Sequence, residues 1–292
     1  SKSFPSYPPN LGEGKAARSS SDGLNLQWGN TLTYRFDIDN IHDFNFLLGH
    51  EWQNYHSEGF SVSTQGQTND KLTDISTATR ATGWSSTSAS DYSRVSFFGR
   101  GEYNFADRYY AEVSLRTDGS SRFGRNNRWG LFGAVGFMWN MRNEDFMADK
   151  REWLTMSQIS FSSGTAGNSE IPNYEHLALI GGGHGYVGDS GVAPVQPGNE
   201  SLTWESTWTS NLGFHFGFWN RLNVDFELYC KRTTDMLMEV PKSYAESNGY
   251  GYVWDNVGAM LNMGAELNLT ATVITYKDFN WTVNANAGYN HN

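Results

Sequence analysis

An alternation of apolar and polar residues with a period of two constrains the fold of this chain most strongly. It is clearest in residues 213–229, which read GFHFGFWNRLNVDFELY. Phe214, Phe216 and Phe218 occupy every second position, and the even-numbered apolar residues resume at Leu222. Because successive side chains of a β-strand point to opposite faces, the pattern predicts two strands and not an amphipathic helix.

These two strands are predicted to form a hairpin that turns over residues 219–221, a common connection length. The pairing sets Phe218 opposite Leu222 on one face of the hairpin. It sets His215 opposite Asp225 on the other face. One face of the hairpin is therefore apolar and the other is polar.

Four further pairs of apolar strands follow the same rule. Three of them turn at residues 39–41, 106–108 and 276–278, and one is joined by the longer segment 140–152. The pattern predicts about ten strands, each reaching the roughly 9–11 residues that a tilted membrane strand needs. Strands of soluble sandwiches average about 5–6 residues, so this length favours a membrane protein.

Much longer segments connect one hairpin to the next. They are rich in Gly, Ser, Thr, Asn and Asp and are predicted as loops, at residues 57–90, 117–128, 164–202 and 235–253. The N-terminal stretch through Ser21 is predicted to belong to another loop. Short turns that alternate with long loops are typical of outer-membrane barrels.

The distribution of charge supports a barrel in lipid. In the four tight hairpins the apolar positions carry no Asp, Glu, Lys or Arg, and a cation at the bilayer midplane costs about 2–4 kcal/mol. The charged residues occupy the other face: Arg35, Asp43, Glu51, Arg94, Arg100, Glu102, Glu112, Arg116, Asp225, Glu227 and Glu266. Aromatic residues flank the short turns, as an interfacial girdle does. We predict an all-β fold, a transmembrane antiparallel up-and-down β-barrel.

Composition excludes several other classes. Aromatic residues make up 15% of the 292 residues, yet mean hydropathy is −0.57, and no apolar run approaches the length of a membrane helix. The net charge of −10 argues against nucleic acid as a partner. A single cysteine, Cys230, excludes a disulfide framework and a zinc finger. Residue 1 is not Met and the strand pattern runs to Asn292, so we expect a piece of a longer protein.

Four motifs resemble those of the SusC/RagA family of TonB-dependent outer-membrane transporters. Residues 116–146, RTDGSSRFGRNNRWGLFGAVGFMWNMRNEDF, are similar to its strand–loop–strand signature. Residues 160–174 are similar to a second motif, although Ser163 and Ala166 depart from its usual Tyr and Thr. The segments 199–213 and 234–266 are similar to the third and fourth motifs, in the family's order.

The resemblance implies a barrel of about 22 strands that is plugged by an N-terminal domain. It implies import of glycans, oligosaccharides or peptides across the outer membrane of a Gram-negative bacterium. TonB would supply the energy through a plug and TonB box, and a SusD-like surface lipoprotein would be the partner. Residues 1–292 are expected to be part of one such barrel domain, with the plug absent from this chain.

No motif predicts catalysis, a metal site or a cofactor, and the ligand-contacting residues stay unassigned. Residues 118–121 are interpreted as a tight loop, and Asp37 and Asp39 lack the further ligands that Ca²⁺ needs. Residues 181–184, with His176 before them, are interpreted as part of a flexible loop. Aromatic residues of the loops suit either sugar stacking or loop packing: Trp84, Tyr92, Tyr186, Tyr250, Tyr252 and Trp254.

Two other classes of function remain open from the sequence. One is a soluble β-sandwich or β-propeller carbohydrate-binding module, which would also hide one face of each strand. The other is a barrel enzyme of the lipase or protease type. We predict a transporter segment and no enzyme.

Overall fold

The computed structural model of the chain describes residues 2–4, 14–67, 74–78, 80–186, 189–245 and 249–292. These residues form antiparallel strands and three short 3-10 helices, Ile75–Thr77, Met141–Asn143 and Asp145–Lys150. Among them there is no helix with the length and apolarity needed to cross a membrane.

Fifteen strands are present in the described part of the chain. In order, they are β1 (Lys2–Phe4), β2 (Gly14–Ile38), β3 (His42–Gln67), β4 (Arg80–Phe105), β5 (Tyr109–Ser120), β6 (Trp129–Asn140), β7 (Leu154–Asn168), β8 (Leu179–Tyr186), β9 (Asp189–Gln196), β10 (Glu205–Phe218), β11 (Leu222–Thr234), β12 (Leu237–Pro241), β13 (Tyr252–Asn256), β14 (Ala259–Tyr276) and β15 (Phe279–His291).

Eleven of the strands form one sheet, and each of them pairs with the next strand of that sheet along the chain. Its order is β1-β2-β3-β4-β5-β6-β7-β10-β11-β14-β15. The four remaining strands form two separate hairpins, β8–β9 and β12–β13, inserted between strands of the large sheet. The predicted antiparallel up-and-down arrangement is confirmed.

The chain divides into two compact units. One consists of residues Ser1–Trp28 and Gln53–Ser93, and the other of Gly29–Trp52 and Arg94–Asn292. The second unit contains the tight hairpins and the motifs described above.

The register follows the period-two pattern. Phe218 pairs with Leu222 and His215 pairs with Asp225, as predicted. At that turn Arg221 donates its N–H to the carbonyl of Phe218 at 2.9 Å. The first two residues of three predicted turns adopt positive φ, which suits hairpin twist: Asp39, Asn40, Ala106, Asp107, Trp219 and Asn220.

Several predicted boundaries differ from those in the structure. Strands β3 and β4 extend through much of the predicted loop 57–90, and β2 begins at Gly14 within the predicted N-terminal loop. The loops 164–202 and 235–253 contain strands of the β8–β9 and β12–β13 hairpins. The last turn is one residue shorter than predicted, because Tyr276 pairs directly with Phe279 after a register irregularity in β14.

The apolar face of the large sheet is exposed. Leu48, Leu115 and Leu131 expose 63%, 60% and 73% of their surface. A β-sandwich would bury these side chains against a second sheet, and none of the described residues covers them. The alternative of a soluble sandwich or propeller is therefore wrong.

Candidate functional site

The apolar face carries a band whose height matches a bilayer. Trp129 and Trp139 lie about ten residues apart on β6, and Trp208 and Phe218 lie equally far apart on β10. At about 3.3 Å per residue and a tilt of about 40°, each interval spans about 25 Å along the membrane normal. This is the height of the apolar band of outer-membrane barrels, and its two ends carry aromatic residues. Below, the end with the tight turns is called the turn end and the opposite end the loop end.

The polar face carries like charges in direct opposition. Glu102 lies opposite Glu112 on β4 and β5, and Glu227 lies opposite Glu266 on β11 and β14. Glu102 is partly compensated by Arg100 at 3.1 Å. Directly opposed like charges destabilise a sheet, so stability does not explain these positions. A depression of about 510 Å³ opens beside the first pair.

Near the loop end of the polar face, Arg116 is held by two carboxylates. Its Nε donates to both carboxylate oxygens of Asp118 at 2.9 Å, and its Nη2 donates to Glu51 at 2.9 Å. Asp118 is buried and also accepts a hydrogen bond from Ser96. The predicted tight loop over 118–121 is thus mostly the end of β5, where Asp118 fixes the arginine.

Near the loop end, residues from several connections and from the start of β6 pack into a buried cluster, called here the loop core. It consists of Phe123, Phe132, Ile171, Leu202 and Trp204, with Leu237 and Trp254 packed against it. Phe123 and Leu202 are fully buried, and the Trp204 ring contacts the rings of Phe123 and Phe132 at centroid distances of 5.3 and 5.5 Å. Because the members come from distant parts of the sequence, the loop core ties these loops into one unit.

Asparagine side chains close the loop core with hydrogen bonds to backbone groups. Asn256 accepts from the N–H of Thr203 at 2.8 Å and donates to its carbonyl at 2.9 Å. Asn199 donates to the carbonyl of Trp254 at 2.9 Å, and Asn127 donates to the carbonyl of Ser201 at 3.0 Å. Backbone groups of loops need such partners once they leave water. Motif residues are thus used to fix loop conformation.

Arg122 links the loop core to the segment after β7. Its guanidinium donates to Asn173 at 3.0 Å, to the carbonyl of Ser169 at 3.0 Å and to Glu170 at 3.1 Å. His176 is buried and its Nδ1 lies 3.1 Å from the carbonyl of Arg122. His176 is therefore packed within the loops. The interpretation of its segment as a flexible loop is corrected at this residue.

At the turn end, the segment between β6 and β7 folds around a buried carboxylate. Glu144 accepts from the Tyr109 hydroxyl at 2.5 Å and from the Trp139 indole at 3.0 Å, and it pairs with Arg108 at 3.3 Å. The two hydrogen bonds and the nearby guanidinium hold the pKa of the Glu144 carboxyl below its usual value. This carboxylate fixes the only long turn-end connection in the described sheet.

One arrangement on the polar face was not anticipated. Ser160 Oγ lies 3.2 Å from His215 Nε2, and His215 Nδ1 lies 2.9 Å from Asp225 Oδ1. The order of contacts is that of a hydrolytic triad. However, β7, β10 and β11 each pair with a strand on both sides. Their backbone N–H groups are therefore bonded to neighbouring strands and are not available to stabilise an oxyanion. The sequence placed His215 opposite Asp225, but only the pairing of β7 with β10 adds Ser160.

The structure also locates most of the other residues that the sequence analysis considered. Tyr92 lies against Tyr55 with ring centroids 5.7 Å apart, and Cys230 is a half-buried free cysteine on the apolar face. Tyr250 and Tyr252 line a depression of about 380 Å³ between the β8–β9 and β12–β13 hairpins. Three side chains lie outside those that the structure describes: Trp84, His184 and Tyr186. The described residues contain no group of three or more His, Cys, Asp or Glu that could hold a metal ion. Among these residues, Asp37 and Asp39 therefore have no further ligand of these types beside them.

Known proteins are similar to this chain in sequence and in fold. The chain is 32% identical over 286 residues to TonB-dependent receptor SusC of Bacteroides thetaiotaomicron. This alignment covers 91% of the chain and 27% of SusC. It is 35% identical over 207 residues to TonB-dependent receptor P39 of Formosa agariphila, which covers 70% of the chain and 20% of that receptor. The solved structure of the RagAB peptide importer in the 'closed-closed' state superposes with a TM-score of 0.91 at 34% identity, covering 98% of the chain and 32% of the solved chain.

The chain therefore spans about a fifth to a third of these relatives. The family description that it matches is TonB dependent receptor-like, beta-barrel, over residues 2–292. This match extends over both faces of the sheet, the loop core and the turn-end segment. The chain belongs to the TonB-dependent receptor β-barrel family of outer-membrane proteins, and the predicted SusC/RagA type is confirmed.

Proposed function

We propose that this chain forms barrel wall and extracellular loops of a TonB-dependent importer of glycans, oligosaccharides or peptides. The observation that carries the proposal is the division of the sheet into an apolar band of bilayer height and a polar face. A transporter needs the first to lie in lipid and the second to line a lumen. In this proposal the loop core holds a fixed set of loops, and these loops lie at one mouth of the lumen.

The rest of the transport machinery lies outside this chain in the proposal. Residues 1–292 are part of one barrel domain, and a plug domain with a TonB box is contributed by the remainder of the whole protein. The opposed carboxylates of the polar face support this assignment, since an additional body with basic groups would compensate them. A SusD-like surface lipoprotein is the proposed partner at the loop end.

Glycans and peptides both remain as substrates of the proposed transporter. SusC is one relative, and RagAB, named as a peptide importer, is another at similar identity. Aromatic side chains that line a loop depression, such as Tyr250 and Tyr252, suit sugar rings and peptide side chains alike.

The proposal includes no enzymatic activity. Ser160, His215 and Asp225 have the contacts of a triad, but strand pairing supplies no oxyanion donors around them. We expect hydrolysis of nitrophenyl esters and of peptides by the purified whole protein to stay at background. Turnover that disappears in Ser160→Ala would contradict this part of the proposal.

The function is tested with the whole protein in its native bacterium. Deleting its gene should abolish uptake of one substrate class, glycans or peptides, and leave the other unchanged. Uptake should return with the wild-type gene and be lost again when TonB is deleted. Purification of the tagged transporter should retain a SusD-like lipoprotein. Uptake that continues without the gene, or without TonB, would overturn the proposal.

A further inference from the structure

A small depression lies on the polar face close to the loop end. It has a volume of about 290 Å³ and is lined by small residues that include Ser114, Ala134 and Ala166. Arg94 and Arg116 contribute its charged side chains, together with the buried Asp118. Phe132 of the loop core forms part of the wall, so that side of the depression is rigidly packed.

The two arginines of this depression differ in their engagement. Arg116 is firmly held, because its Nε and Nη2 donate to both oxygens of Asp118 and to one of Glu51, each at 2.9 Å. Its guanidinium also lies over the Phe98 ring, 5.1 Å from the centroid. These contacts fix the position of Arg116 and satisfy Asp118, which has Ser96 as a further donor.

Arg94 has a much weaker attachment. Its ion pair among the described residues is with Asp118, at 3.9 Å from Nε, which exceeds hydrogen-bonding distance. Its side chain is 40% exposed. A guanidinium has five N–H donors in a planar fork that matches a carboxylate. The donors of Arg94 therefore face the depression without an acceptor at hydrogen-bonding distance in the described structure.

We propose that this depression binds a carboxylate of the imported ligand, with Arg94 as the residue that contacts it. Small residues leave room for the carboxylate. Both oxygens of Asp118 are bonded to Arg116, so Arg94 keeps only a loose ion pair with Asp118 and no hydrogen bond to it. The ligand class is acidic, as in a uronic acid residue or a peptide carboxylate. The proposal rests on the proposed function, which brings ligand into the lumen from the loop end.

The test uses the intact whole transporter in detergent and phenylglyoxal, a reagent that modifies accessible arginine side chains. Mass spectrometry of the digested protein follows modification of each arginine. The probes are acetate and acetamide, at matched ionic strength, because they differ in the carboxylate. Arg100 is the internal reference, since it lies on the same face and is already paired with Glu102 at 3.1 Å.

We expect acetate to slow the modification of Arg94 about fivefold or more, with no effect on Arg100 and none from acetamide. Two results would overturn the proposal. One is equal modification of Arg94 with and without acetate. The other is an Arg94 that is unreactive before any probe is added, because a carboxylate or another group of the protein then already covers it. Neither readout requires transport, so failure of this site and failure of the proposed function are separable.

Discussion

Replacing Gly130 by Ala tests whether the loop core is as tightly packed as the structure shows. A Cβ on Gly130 would lie 2.5 Å from Cζ of Phe132 and 3.1 Å from Cδ2 of Trp204. Ordinary contacts begin at about 3.4 Å, so the Phe132 ring has to move by roughly 1 Å in a close-packed site. Overpacking of this kind costs about 1–3 kcal/mol.

Local hydrogen exchange of the whole protein measures this cost, because it reports opening of individual segments rather than of the barrel. The informative amides are Asn127, bonded to Gly124 at 3.0 Å, and Leu202, bonded to Asn199 at 3.3 Å. A cost of about 1–3 kcal/mol corresponds to exchange that is about 5-fold to 150-fold faster.

The matched control is Gly136→Ala on the same strand, whose Cβ would meet its nearest neighbour at an ordinary 3.7 Å. It should leave exchange in the loop core unchanged. Phe132→Ala alone should accelerate exchange strongly by opening a cavity, and adding Gly130→Ala to it should cost less than in the wild type. Equal exchange in both glycine variants, or strictly additive effects in the double variant, would refute the packing argument.

Three further predictions concern other parts of the chain. Val113→Arg, in the apolar band, should lower barrel stability by about 2–4 kcal/mol in a urea titration in vesicles. The control Glu112→Arg, on the polar face opposite Glu102, should not lower it, and equal losses would contradict the orientation of the sheet. The pKa of Glu144 is lowered, so its contribution to the turn-end fold is present above the usual carboxyl pKa and is lost as pH falls through the lowered value; Glu144→Gln should flatten the acid dependence of proteolysis in this segment. Asn256→Ala removes both bonds to Thr203 and should increase protease cleavage of that loop at least about fivefold, with unchanged cleavage counting against its clamping role.

The strands could be predicted from the sequence because the alternation of apolar and polar residues reports which side of each strand faces an apolar environment. The pairing of Phe218 with Leu222 follows from the period-two pattern and a short turn, both local in the chain. The strand extensions in β3 and β4 were missed because residues 57–67 and 80–90 lack a sustained apolar alternation. Gly, Ser and Thr residues there gave the appearance of a loop.

The loop core and the depression beside Arg94 could not be predicted from the sequence. Phe132 and Trp204 lie in separate motifs, and their contact depends on how long loops return over the sheet. The similarity to the SusC/RagA motifs marked these residues but did not say that they pack together. Likewise, the pairing of Arg116 with Glu51 requires strands that are 65 positions apart in sequence. Such contacts need the strand order as well as the pattern within each strand.

The loop core also leaves one hairpin of the chain outside it. The β8–β9 hairpin contributes none of the described members of the core, and its stems are anchored by contacts such as those of Gln196 with the carbonyls of Tyr174 and Leu177. A different hairpin grafted between these stems would leave the rest of the mouth intact. In the proposed transporter, this hairpin can therefore be exchanged by design without dismantling the loop core.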